Sequence, residues 1–224
     1  MLREHAAVRQ RIVEAAGEVF AELGYEGATV RSITERAGVN VAAINYYFRD
    51  KACLYEHVVS ACCCSTQEAA DACPWPEGAP AEERLRFFIE RMVRRALNPE
   101  RPAWHRLVMA REMITPTPAL DRMVRESIGP ERDQLLEALD EMTGHHLSDR
   151  ERHLFGFSIV GQCLFYMQNG PLIGRLCPMM DAEPPTVSEL IAHIQAFSLA
   201  AVLSLARSRE AGASPLRRPG AAPR

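Results

Sequence analysis

Apolar residues recur every three or four positions along most of this 224-residue chain, and no stretch alternates apolar with polar as a half-buried strand requires. That periodicity predicts an all-α fold. Val8, Ile12, Ala16, Val19, Phe20 and Leu23 form a first stripe that ends at Gly24, a C-cap glycine. A short helix over 30–37 follows Thr29, an N-cap residue, and stops at Gly38; a third, over 41–47, follows Asn40. Asp50 caps a fourth helix expected to reach about residue 71. Beyond the proline-rich break at residues 73–80, an apolar face from Leu85 to Leu97 stops at Asn98-Pro99. A helix over 103–114 precedes Thr115-Pro116-Thr117-Pro118, and one over 119–143 is expected to kink or split at Gly129-Pro130. Ser148-x-x-Glu151 and Thr186-x-x-Glu189 are capping boxes that open two long helices. Both are apolar on more than one face, so both need cover on several sides. Small residues Gly156, Ser158 and Gly161 should let another helix come close.

Composition narrows the function. With 47% hydrophobic and 25% charged residues the chain is an ordinary globular one. No apolar run reaches the 18–20 residues of a membrane span, the stretch 196–206 being too short, and the charged start lacks the apolar core of a secretory signal. A cytoplasmic protein without a membrane partner is expected. Seven cysteines, three of them adjacent at 62–64, form no C-x-x-C pair and read as reduced thiols. Residues 1–51 hold seven Lys/Arg against seven Asp/Glu, residues 52–206 hold 14 against 21, and residues 207–224 hold five arginines against one Glu. An acidic middle is a poor surface for phosphate neutralisation, so nucleic-acid contact is confined to one end. No G-x-S-x-G, H-E-x-x-H or phosphate-binding glycine loop occurs, and no enzyme, cofactor or metal is implied.

The informative stretch is 29–51. Two short helices joined at Ala37-Gly38-Val39-Asn40 have the dimensions of a helix-turn-helix. At about 100° per residue Ile44 and Phe48 fall on one side of the second helix, flanked by Val41 and Tyr47. Ala42, Ala43, Asn45 and Tyr46 fall on the other. Small side chains let such a helix approach base edges in a major groove. Asn bonds adenine or phosphate, and Tyr and Lys51 reach phosphates. Thr29 and Arg31 stand at the front of the preceding helix, where free N–H groups favour an anion. The candidate DNA-binding set is therefore Thr29, Arg31, Asn40, Val41, Ala42, Ala43, Asn45, Tyr46, Tyr47 and Lys51. Arg36 and Arg49 read as solvated surface charges.

Residues 8–57 resemble the N-terminal domain of the TetR family of transcriptional regulators. The matching residues are Ile12-x-x-Ala15-Ala16, Phe20-x-x-x-Gly24-Tyr25, Thr29-Val30-x-x-Ile33-x-x-x-Ala37-Gly38-Val39, Asn45-Tyr46-Tyr47-Phe48 and Lys51-x-x-Leu54-Tyr55. Many members carry Lys or Arg just after the turn and Tyr four residues later. Val41 and Asn45 stand there in this chain, which shifts the burden of phosphate contact to Tyr46, Tyr47 and Lys51. Arg111-Glu112-Met113-Ile114-Thr115-Pro116-Thr117-Pro118-Ala119 is similar to a segment in a CecR-like branch of that family.

The resemblance implies an all-helical homodimer that binds an operator on double-stranded DNA. It also implies a larger domain that dimerises and takes a small-molecule effector, usually in a repressor released by its ligand. The expected division is a helix-turn-helix domain over 1–50, a regulatory and dimerisation domain over 51–208, and a disordered Arg/Pro-rich tail over 209–224. Phe88, Met92, Trp104, Met109, Met113, Phe155, Gln162 and Tyr166 are the candidate effector residues, since apolar walls with a few polar groups make ligand sites. Glu112 is expected to line a cavity or make a surface pair with Arg111. Two other readings stay open: a DNA-binding regulator without small-molecule control, and a helical small-molecule-binding protein that never touches DNA.

Overall fold

A computed structural model describes residues 2–63 and 75–210, and among these every regular element is helical. The helices are α1 (Leu2–Gly27), α2 (Val30–Ala37), α3 (Val41–Phe48), α4 (Lys51–Cys63), α5 (Ala81–Ala96), α6 (Ala103–Ile114) and α7 (Pro118–Met123). After a π-helical turn over Val124–Ile128 come α8 (Gly129–Met142), α9 (Asp149–Gln168), α10 (Gly170–Leu176), α11 (Pro178–Ala182) and α12 (Val187–Glu210). The rest of the expected fourth helix, Cys64, and the tail from residue 211 lie outside the described residues.

Contacts gather the chain into two units, one of Met1–Cys73 with Pro99–Pro130 and the other of Pro74–Asn98 with Glu131–Arg224. Residues 99–130 thus pack with the first helices, whereas the division drawn from sequence assigned everything from 51 to 208 to one regulatory domain.

In the first unit, Ile12, Ala16, Val19 and Phe20 bury the inner face of α1 against Ile33, Ile44, Phe48, Leu54 and Val58. Leu23 does not join the stripe; it is exposed, one residue before the kink that α1 makes at Gly24, with φ 72° and ψ 174°. From α6, Trp104 lies so close over Gly17 that a Cβ there would stand 2.4 Å from the indole. The π-turn explains how the chain tolerates Gly129-Pro130. A Cβ at Gly129 would meet the Val124 carbonyl oxygen at 2.7 Å, and the wider turn takes up the backbone hydrogen bond that a proline cannot make.

In the second unit, Leu85, Phe88 and Ile89 of α5 meet Leu135 and Leu139 of α8, Ile159 and Cys163 of α9, and Ile194 and Val202 of α12. Both capping boxes form: Ser148 Oγ accepts from the Glu151 N–H at 3.4 Å, and Thr186 Oγ1 from the Glu189 N–H at 3.2 Å. Gly156 admits Leu136, whose Cδ2 would stand 3.3 Å from a Cβ. Gly161 has nothing within 4 Å of that position and Ser158 is exposed, so only one of the three small residues serves a close approach within the chain.

The expectation about apolar length is corrected at α12. Between Val187 and Arg207 this helix is long and apolar enough to cross a bilayer, with mean hydropathy 1.6 in its richest stretch. One face accounts for part of that: Leu190, Ile191, Ile194, Leu199 and Val202 belong to the core of the second unit.

Candidate nucleic-acid interface

The turn between α2 and α3 is built by caps. Thr29 Oγ1 accepts from the Ser32 N–H at 3.0 Å, and Ser32 Oγ accepts in return from the Thr29 N–H at 3.1 Å. At the other end Gly38 takes a left-handed conformation, φ 63° and ψ 40°. The Val39 N–H then reaches the Thr34 carbonyl at 3.1 Å and the Gly38 N–H reaches Glu35 at 3.3 Å, a Schellman ending that only glycine enters without strain. Asn40 starts α3, its Oδ1 accepting from the Ala42 N–H at 3.0 Å.

Anchored by buried Ile44 and Phe48, α3 turns its other side to solvent. Val41 is 49% exposed and Tyr46 70%, and Ala42 and Asn45 are exposed with them. Ala43 and Tyr47 are half-buried and pack against the core. The outward face is therefore formed by Val41, Ala42, Asn45 and Tyr46: Val41, expected beside the buried side, joins it, and Ala43, expected on it, lies at its margin with Tyr47.

The other candidates are more committed. Asn40 spends its side-chain oxygen on the cap, and Thr29 on its own. Arg31 Nε bonds Glu35 at 2.8 Å. Arg36 grips Glu22 through both terminal nitrogens at 2.6 and 2.9 Å, and Arg49 bonds Asp50 at 3.0 Å. These pairs lie at the surface, where a single-contact ion pair contributes little to stability. Lys51 is placed differently from expectation. Its ammonium donates to the carbonyls of Tyr25 and Ala28 at 2.9 and 3.1 Å and lies 4.4 Å from the Tyr25 ring, so it ties the end of α1 to the start of α4. Asp50 caps α4 by accepting from the Cys53 N–H at 2.8 Å; that bond, reinforced by Arg49, holds its carboxyl below the usual range.

Three further residues of the first unit make contacts that the sequence reading did not assign. His5 Nδ1 lies 3.4 Å from the Tyr47 hydroxyl, beside α3. Arg111 reaches the end of α1, its Nε donating to Ala21 O at 2.9 Å and its Nη2 to Glu22 O at 3.0 Å. Glu112 makes no surface pair with Arg111. It is 0% exposed and accepts from the Tyr55 hydroxyl at 2.7 Å, the Thr117 N–H at 2.8 Å and the Thr117 hydroxyl at 3.0 Å. Burial first, and the Glu112 carboxyl second, push the Tyr55 hydroxyl up and keep it a donor. No local pattern announces a pair 57 residues apart.

The effector candidates fall into both units. Trp104 is buried in the core of the first, Met109 packs half-buried against it, and Met113 is exposed there. Phe88 is buried in the core of the second, half-buried Met92, Phe155 and Tyr166 pack against it, and half-buried Gln162 donates to the Ser158 carbonyl at 3.3 Å. Cys163, also in that core, has its thiol pushed up to about 12 by burial, which makes it an inert packing group.

Comparison with known proteins bears on this geometry. The sequence pattern described as "Bacterial regulatory proteins, tetR family" matches residues 12–58, the stretch that carries the caps and α3. The pattern described as "HTH-type transcriptional dual regulator CecR, C-terminal domain" matches residues 81–202, more than half of the chain. The chain belongs to the TetR family, in its CecR-like branch.

Among relatives, the dual regulator CecR of Shigella flexneri is 26% identical over 172 residues, covering 70% of this chain and 74% of that protein. The transcriptional repressor AcnR of Corynebacterium glutamicum is 51% identical over 47 residues, 21% of this chain, so the chain spans only 25% of that repressor's length. Solved structures agree in fold. A TetR-like transcriptional regulator from Rhodococcus sp. RHA1 superposes with TM-score 0.58 at 16% identity, covering 88% of this chain and 96% of its own. The hemolysin II transcriptional regulator HlyIIR superposes with TM-score 0.54 at 22% identity, covering 84% and 97%. Members of this family are DNA-binding transcriptional regulators, typically homodimers, and no enzymatic family is identified for this chain.

Proposed function

We propose that this protein is a cytoplasmic, ligand-responsive repressor that binds a near-palindromic operator as a homodimer, reading the major groove with α3. The observation that carries the reading is the split character of α3: Ile44 and Phe48 fix it to the core while Val41, Ala42, Asn45 and Tyr46 face outward. Short side chains at the helix start allow close approach to base edges, and Asn45 offers the donor and acceptor pair that suits adenine. Thr29, Arg31, Asn40 and Tyr47 flank this face as candidates for phosphate contact. Lys51 acts by holding α1 and α4 together. A two-fold dimer places two copies of α3 about 34–36 Å apart, or a multiple of that, in successive grooves.

Ligand control is the second part of the proposal. Phe88, Met92, Phe155, Gln162 and Tyr166, which share one unit, are the residues proposed to meet the effector. Operator release then follows if the effector prefers a form in which the reading helices are badly spaced. A coupling of about 1–3 kcal/mol changes affinity about 5–150-fold.

The test is selection of duplexes from a random-sequence DNA pool by the purified protein, followed by titration of the recovered duplex. We expect recovery of an inverted repeat. Asn45→Ala should weaken binding by about 1–3 kcal/mol and relax selectivity at one base pair in each half-site. Failure to retain any duplex, or unchanged affinity in both Asn45→Ala and Tyr46→Ala, would overturn the reading.

A further inference from the structure

His5 stands apart from every role assigned so far. It lies in the second turn of α1, is exposed, and comes from a part of the chain far from α3. Yet its ring centroid is 6.1 Å from both the Tyr46 and the Tyr47 rings, and its Nδ1 is 3.4 Å from the Tyr47 hydroxyl. The two tyrosines meet edge to face at 4.9 Å. Three groups that hydrogen-bond phosphate oxygens are thus gathered beside the outward face of α3 by two different helices.

We propose that His5, Tyr46 and Tyr47 form a proton-sensitive phosphate-binding site beside α3, so that duplex binding tightens on acidification. The proposal rests on the reading of α3 as the DNA probe. Its chemistry follows from the donor and acceptor inventory of the cluster. A neutral imidazole whose Nδ1 accepts takes the Tyr47 hydroxyl proton for itself. Once protonated, the ring donates from both nitrogens, and Nδ1–H turns to the Tyr47 oxygen. The Tyr47 proton is then free to point at a phosphate oxygen, and the cation beside it makes that contact charge-assisted. Imidazole is the side chain whose charge changes between about pH 5 and 8.

The surrounding charged groups leave room for this. On α1 the ionisable neighbours along the chain are Arg3, Glu4 and Arg9, and the Arg9 guanidinium lies 5.2 Å from the Phe48 ring. On α3 they are the two tyrosines themselves. His57 of α4 packs edge-on against Phe48 at 5.3 Å, with its Nδ1 already 2.7 Å from the Cys53 carbonyl.

The experiment titrates the full chain with the selected duplex between pH 5.5 and 8.0 at fixed ionic strength, and repeats the titration across a salt series. Wild type should bind roughly tenfold more tightly per site at pH 5.5, as a charged hydrogen bond predicts. The slope of log K against log salt should steepen by about 0.9 for each phosphate gained, about 1.8 for a dimer. His5→Gln should lose both effects, and His5→Lys, a permanent cation, should show the steep slope at pH 8.0. Since His5 is exposed, both variants should fold, which circular dichroism checks. A wild type without pH dependence, or a His5→Gln variant that keeps it, would overturn the site and leave the DNA reading standing. Retention of no duplex at any pH would overturn both.

Discussion

A single missing side chain sets how closely α6 sits on the first helix. Gly17 has no Cβ, and the Trp104 indole occupies the space where one would be, 2.4 Å away. Helical periodicity counts Gly17 only as a weak helix former, whereas the packing makes it a required contact. Gly17→Ala should therefore destabilise by about 1–3 kcal/mol, the usual cost of forcing a methyl into a filled core, instead of stabilising the helix as alanine normally does. Urea denaturation gives the sign at once. A midpoint that rises in Gly17→Ala would mean the indole moves aside without loss. Gly38 is a different case, since its φ of 63° is what matters and nothing lies within 4 Å of its missing Cβ.

At the scale of elements, the adjacent residues Arg111 and Glu112 act as a double clasp. One donates to the Ala21 and Glu22 carbonyls of α1, and the other accepts from Tyr55 on α4 and from Thr117. Their helix thereby fixes two of the elements that present α3. A buried carboxylate that loses a donor bears a desolvation cost that nothing offsets, so Tyr55→Phe should cost about 1–3 kcal/mol of stability. Glu112→Gln should cost a similar amount, and the double variant less than the sum, because both changes weaken the same Tyr55–Glu112 bond. Additive losses in thermal denaturation would show that the two groups are not coupled.

The clasp also marks the limit of what sequence reveals. The caps at Thr29, Asn40, Ser148 and Thr186, and the helices they open, are legible because the bonds span two or three residues. Pairs such as Tyr55 with Glu112 or His5 with Tyr47 depend on tertiary packing and leave no local trace. The same holds for Lys51, whose bonds to the carbonyls of Tyr25 and Ala28 have no signal in the sequence. Helices α10 and α11 carry the signal of a proline in the first turn, at Pro171 and Pro178, but they are too short for periodicity to show.

At the scale of the whole molecule, the second unit leaves apolar surface that the described residues do not cover. On α9, Leu154, Phe157, Gly161 and Phe165 recur at three- and four-residue spacing and are exposed, Phe157 to 63%. On α12, Phe197 is exposed to 61%, and Ala200 and Leu203 follow it on the same face. The excess apolarity that gives α12 the hydropathy of a membrane span is divided between the core face and this outer one. In the proposed homodimer a second copy would supply complementary cover by symmetry, since a two-fold interface sets the same patch against itself. Dimerisation and operator affinity are then linked, because a monomer holds only one half-site and loses the effective concentration that joins the two, worth about 10²–10⁴ in affinity. Phe197→Asp, or Phe157→Asp if that variant is the better expressed, places a charge in the middle of the proposed contact. Sedimentation should show a dimer for wild type at micromolar concentration and a monomer for the variant, with its helical circular dichroism retained. The selected operator should bind the monomer at least about 100-fold more weakly, while a single half-site duplex should distinguish the two proteins little. A variant that remains dimeric, or a monomeric wild type that still prefers the inverted repeat over one half-site, would place the two-fold contact elsewhere or remove it.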